Sequence, residues 1–106
     1  MMDPTLGRIV QYHLSAEDAA TVLRRRTTSD SISNRLKDDP PRWPAGAQAH
    51  IGNLVMDGQT LPMMIVRVWE DQTVNGQVFL DGCDVLWVTG VAHGVGPGMW
   101  RWPERV

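Results

Sequence analysis

Cysteine is nearly absent from this sequence: Cys83 is the only one in 106 residues. A lone thiol excludes an intramolecular disulfide and fits a reducing compartment. Lysine is as scarce, Lys37 standing against nine arginines. Arginine codons are GC-rich and lysine codons AT-rich, so the bias points to a GC-rich source genome. No apolar run approaches the roughly 18–20 residues that a membrane-spanning helix needs. The opening Met1-Met2-Asp3-Pro4-Thr5 lacks the basic and apolar regions of a secretory signal, which makes the cytosol the expected compartment. Charge of one sign is lacking too. The net charge is −2, so no global field recruits nucleic acid or an anionic membrane. Residues 1–53 hold seven Lys/Arg against six Asp/Glu, and residues 54–106 three against six, an asymmetry too small to build on.

The motifs of chemistry are missing as well. His13, His50, Cys83 and His93 are scattered singly, with no C-x-x-C, H-x-x-x-H or H-E-x-x-H pattern, so no metal site and no cofactor are expected. Cys83 sits between Gly82 and Asp84. Asp84 brings negative charge where an activated thiolate would need positive, and Cys83 reads as a turn residue. Gly94-Val95-Gly96-Pro97-Gly98 has the glycines of a phosphate cradle. A cradle needs a helix directly after it, whereas this one leads into the extended Met99-Trp100-Arg101-Trp102-Pro103, so the loop reads as a mobile connector. Asp81, Asp84, Glu70 and Asp71 fall at turns or strand ends and read as solvated turn residues. No catalytic residue emerges, and the expectation is a protein that is not an enzyme.

The sequence does carry β grammar, with one helical interruption. Gly7–His13 reads as a strand. Ser15 opens a helix: its hydroxyl can accept from the N–H three residues on, and Glu17 and Asp18 stand where the positive helix end favours anions. Ala16, Ala19, Ala20 and Leu23 give the expected apolar face. Arg24-Arg25-Arg26 closes that helix, Thr28 or Ser29 caps a shorter second one carrying Ile32 and Leu36, and Asp39-Pro40-Pro41 ends it. Strands are then expected at Gln48–Asn53, Leu61–Trp69, Val74–Leu80 and Asp84–Val91, separated by Gly-containing turns, which makes five, and Met99–Pro103 is expected as an extended segment with Trp100 and Trp102 on one side. In Leu61–Trp69, Met64, Val66 and Val68 share one face, and Met63, Ile65, Arg67 and Trp69 the other. The expected fold is mainly β (α+β). One domain, residues 1–106, forms a small SH3-like five-stranded barrel with a helical insert (15–39) between its first two strands. An open α+β sheet is the alternative.

Five tryptophans are the least ordinary feature. Trp69 and Trp87, in strands, are expected in the core or at its rim. Trp43, Trp100 and Trp102 are the candidates for a partner-binding surface, because exposed tryptophan enriches interaction hot spots. Arg24, Arg25 and Arg26 form the only basic cluster and carry the alternative, a nucleic-acid-binding barrel.

The segment Pro97-Gly98-Met99-Trp100-Arg101-Trp102-Pro103 resembles the Gly-Thr-Trp-His-Trp-Pro-like tail of short proteins from actinobacterial phages and prophages. The similarity extends to Gly7–Tyr12, Gln48–Asn53, Pro62 with Ile65–Trp69, and Val74–Gly82. Met99 stands where such tails have Thr, and Arg101 where they often have His. The resemblance implies a phage or prophage source, and no catalytic residue. Together these readings lead to a non-enzymatic interaction module with a host or phage protein as partner, in the host cytoplasm or in the virion.

Overall fold

The computed structural model describes residues 3–36, the last nine by their backbone, and residues 52–104. Among these are strand β1 (Ile9–His13), helix α1 (Ala16–Leu36), and strands β2 (Thr60–Val68), β3 (Val74–Phe79), β4 (Val85–Val91) and β5 (Trp100–Arg101). The strands make one antiparallel sheet in the order β4-β3-β2-β1-β5. The mainly β, α+β class and the helix between the first two strands stand as expected. Closure does not. A single parallel bridge, His93 to Trp100, ties the chain after β4 to β5, through Trp100 N–H to the Ala92 carbonyl (3.0 Å) and Gly94 N–H to the Trp100 carbonyl (2.9 Å). β5 is two residues long and the glycine loop turns away, so the ladder stops and the sheet stays open.

The expected strand Gln48–Asn53 lies mostly outside the described residues. Its end is seen: Gly52 bridges Gly82, and Asn53 N–H donates to the Asp81 carbonyl at 2.8 Å.

Helix α1 starts as its sequence dictates. Asp18 N–H donates to Ser15 Oγ (3.0 Å) and Ser15 N–H to Asp18 Oδ2 (3.1 Å), a reciprocal capping box that satisfies two orphan donors. Two expectations are corrected. The helix is continuous to Leu36, with no break near Thr28 or Ser29. Thr21 and Thr27 donate their hydroxyls back to the carbonyls of Glu17 and Leu23, so a hydroxyl-rich stretch continues the helix instead of capping a new one. The proline stop lies outside the described residues. The buried face is also rotated: Ala19, Val22 and Arg26 are buried, while Ala16, Ala20 and Leu23 are exposed. Tyr12 Oη donates to Asp18 Oδ2, Arg26 donates to the Asn53 carbonyl, and these polar anchors set the azimuth that an alanine pattern left open.

The core gathers Val10, Tyr12 and Leu14 from the β1 segment, Leu61, Met63 and Ile65 from β2, Val74, Val78 and Leu80 from the β3 segment, Leu86, Val88 and Val91 from β4, and Trp100. Alternation explains β1, β3 and β4. In β2 it fails halfway. A bulge between Ile65 and Arg67 leaves Val66 unpaired and shifts the phase, so Val68 packs on the core and the expected grouping of Val68 with Met64 and Val66 is broken.

Candidate functional site

Two bulges frame β3. Besides the one at Val66, β4 carries an extra residue between Val88, which pairs with Gly76, and Val91, which pairs with Val74. That bulge is Thr89-Gly90, with Gly90 at φ +61°, a conformation glycine adopts without strain. Bulges on both sides of one strand re-aim the side chains between them. Here that side chain is Asn75.

Asn75 is 8% exposed. Its Oδ1 accepts from Trp69 Nε1 (3.0 Å) and from Gly90 N–H (2.9 Å). Both neighbours are donors, so the carboxamide oxygen faces them and the NH2 faces the other way. That NH2 has no protein partner among the described residues, and it is not sealed from solvent. The hydrogen bond to Nε1 fixes the Trp69 ring, which is 42% exposed. Arg67 lies over that ring, its guanidinium carbon 4.0 Å from the centroid, a cation–π contact.

The loop beside them is equally ordered. Trp69 N–H donates to the Thr73 carbonyl and Gln72 N–H to the Trp69 carbonyl, both at 2.9 Å. Gln72 takes φ 70°, the left-handed position of a three-residue hairpin loop. Asp71 Oδ1 accepts from Thr73 Oγ1 (2.7 Å) and Thr73 N–H (3.0 Å). These bonds, the hydroxyl's first, hold its carboxyl below the usual carboxylate range. Arg67, Val68, Trp69, Glu70, Asp71, Thr73, Asn75, Thr89 and Gly90 thus enclose an open groove of about 790 Å³, within the range of small-ligand sites.

The groove opens at one end of the outer sheet face. The pairing register sets Ile9, Met64, Gln77 and Trp87 in one row across four strands, with Val85 and Phe79 paired beside it. Outer positions of an antiparallel sheet are ordinarily polar. Here Ile9, Val66, Phe79 and Val85 are exposed and Trp87 is 62% exposed.

The tryptophans therefore exchange places. Trp100, expected at a binding surface, is 2% exposed and lies in the core. It sits 4.7 Å from the His93 ring and 5.2 Å edge-on to Trp102. Trp102 is half-buried against the core under the Arg8 guanidinium, 5.3 Å away. Trp43 lies outside the described residues. Trp69 and Trp87, expected in the core or at its rim, are the exposed ones. Strand parity does not tell which face is inner, and β5 tucks Trp100 under the sheet.

The arginine run is dispersed by the helix. Arg24 donates to Thr21 Oγ1 at 3.2 Å. Arg25 pairs with Asp84 at 3.1 Å and donates to the Val85 carbonyl at 3.3 Å. Arg26 is buried on Asn53. Arg25 and Arg26 are thus spent within the molecule.

The Arg25–Asp84 pair also guards the edge of the sheet. Leu80 N–H donates to the Asp84 carbonyl, which turns the backbone groups of Asp84 towards β3 and those of Val85 outwards. Val85 N–H is taken by Asp84 Oδ1 (2.9 Å) and its carbonyl by Arg25. The Thr89-Gly90 bulge interrupts the other end of β4. Both devices blunt an edge that would otherwise invite strand pairing.

Among the described residues no cluster of three His, Cys, Asp or Glu is placed to hold a metal ion, and no helix is long and apolar enough to cross a membrane. Cys83 is exposed. The glycine loop is anchored where a mobile connector was expected: Gly98 N–H donates to the His13 carbonyl at 2.8 Å, and Met99 N–H to that of Gly96 at 3.2 Å. Asn75 and Gly90 were not among the expected site residues and Trp87 was expected in the core or at its rim, although a glycine inside a strand pattern is the ordinary signal of a bulge. Comparison with known proteins finds no matching family model, no similar curated protein and no similar solved structure.

Proposed function

We propose that this chain is a non-enzymatic protein-interaction module of a phage or prophage, acting in the host cytoplasm or in the virion, and that it binds its partner through the outer face of the sheet. The observation that carries this is Trp87, 62% exposed, with Val85 and Phe79 exposed beside it and Val66 and Ile9 exposed farther across the sheet, at outward positions where an antiparallel sheet ordinarily carries polar groups. Contiguous apolar surface of this kind marks interaction sites, and tryptophan is foremost among hot-spot residues. The phage source is supported by the tail resemblance, and we read the open five-stranded sheet as an unclosed SH3-like barrel. The nucleic-acid alternative rests on Arg24–Arg26, two of which are committed to Asp84 and Asn53. It is the weaker reading.

The test is capture from host and phage lysates on the immobilised protein, against a Trp87→Ser variant of the same thermal stability. A partner retained by the native chain and lost by the variant supports the module. Equal capture by both, or none with no copies in purified virions, refutes it.

A further inference from the structure

We infer that the Asn75 groove is a built site for an extended peptide segment, with the Asn75 NH2 donating to a main-chain carbonyl of that peptide. This rests on the interaction reading above and names the chemistry that one end of the face recognises.

Each group of a nearly buried carboxamide is bonded to protein, to water or to a ligand. Asn75 spends its oxygen on two protein donors and leaves its NH2 without a protein acceptor among the described residues, on the wall of a groove. Two bulges and a left-handed Gln72 converge to build this wall. Backbone irregularity concentrated in this way is typical of sites that present a group to a ligand.

The lining then selects the ligand. Asn75 NH2 and the guanidinium of Arg67 are donors, so the ligand brings acceptor oxygens. Arg67 is outnumbered by Glu70 and Asp71, which disfavours a phosphate or a free carboxylate and favours a neutral acceptor such as the peptide carbonyl. The fixed Trp69 ring offers apolar wall to a side chain. Glu70, at the rim, suits a basic neighbour. Gly90 leaves its side of the groove bare, since a Cβ there would meet no atom within 4 Å, and an extended main chain can come close. Thr89 continues onto the outward side of β4 that carries Trp87, so the segment would run from the groove onto the exposed face.

The probe is a bead-displayed library of random octapeptides, N-acetylated and C-amidated so that no terminal charge takes part. Selected peptides are titrated against the intact chain and two variants, with the Trp69 indole N–H followed by NMR. Asn75→Asp keeps an acceptor for Trp69 and Gly90 and replaces the groove's donor by an oxygen. Thr89→Arg fills the groove from the surface. The expected result is an indole shift on titration and a loss of affinity of about tenfold or more in each variant, the scale of one hydrogen bond lost to an opposed acceptor. Peptides that bind equally to Asn75→Asp and Thr89→Arg, but not to Trp87→Ser, would overturn the groove and leave the interaction reading intact. A library that yields no binder overturns the peptide assignment, and lysate capture then judges the module separately. Displacement of selected peptides by millimolar inorganic phosphate would overturn the neutral-acceptor argument.

Discussion

Removal of the Asp84 carboxylate tests how the helix is fastened to the sheet. Asp84 is held by Arg25 Nη2 at 3.1 and 3.2 Å and accepts from Val85 N–H. Its side chain is 3% exposed, and that of Arg25 is 27% exposed. Breaking a fully buried pair by deleting one partner costs about 3–5 kcal/mol. Water reaches the Arg25 side and compensates part of that, so Asp84→Ala is expected to cost about 2–3 kcal/mol. For a domain of this size that is a fall in Tm of about 8–20 °C. Asp84→Asn, which keeps an acceptor for Val85 N–H, is expected to lose about half as much. The second consequence is on association. The double variant Arg25→Ala/Asp84→Ala frees both outward groups of Val85 and opens the β4 edge, whose residues Val85–Val91 carry no charge and no proline. Its sedimentation is expected to become concentration-dependent where the native chain's is not. The measurements are calorimetry of the single variants and sedimentation velocity of the double one over a range of concentrations. A Tm within about 2 °C of native for Asp84→Ala, together with ideal sedimentation of the double variant, would refute both the anchoring and the edge-guard arguments.

Three further perturbations have definite outcomes. Burial first, then the hydrogen bond and charge of Asp18, push the Tyr12 hydroxyl well above the usual tyrosine range. The unfolded chain therefore releases this proton at a lower pH than the folded one. Stability should be intact below about pH 10 and decline as pH rises beyond it. Tyr12 is the only tyrosine, so phenolate absorbance reports it alone. Tyr12→Phe should cost about 1–2 kcal/mol at neutral pH and lose that part of the alkaline decline, and an unchanged alkaline profile would contradict it. A methyl group on Gly76 would run into Met63 Cγ and Sδ, so Gly76→Ala should cost about 1–3 kcal/mol by overpacking. Adding Met63→Ala should be less damaging than the two single losses summed, and urea melts of the four chains measure that coupling. Trp100→Ala should cost about 3–5 kcal/mol as a core deletion, whereas Trp87→Ala should stay within about 0.5 kcal/mol of native. Reversed costs in the same melts would return Trp100 to the surface.

Local patterns were legible where they are set by neighbours in the chain. The Ser15/Asp18 capping box, the buried phase of Val74, Val78 and Leu80, and the alternation of Leu86 and Val88 with Val85, Trp87 and Thr89 reflect hydrogen-bond reach and the two-residue period of a strand. The mainly β class with one helix after the first strand rests on the same signals. Which face turns inward is not a local property. Trp87 and Trp100 both lie in extended runs; pairing with Tyr12 and the rings of His93 and Trp102 hold one in the core, and the outer row exposes the other. The helix azimuth was decided by Tyr12–Asp18, Arg25–Asp84 and Arg26–Asn53, pairs up to 59 positions apart. The groove depends on two bulges aligned across β3, and a bulge's partner strand is known only once the sheet has formed. Sequence alone determined the periods, the caps and the lack of any metal or nucleophile motif, because these rest on contacts within a few residues. The tertiary structure decided that the sheet stays open, that Arg25 and Arg26 serve as fasteners, and that Asn75 holds out an amide, because each depends on groups brought together only when distant segments pack.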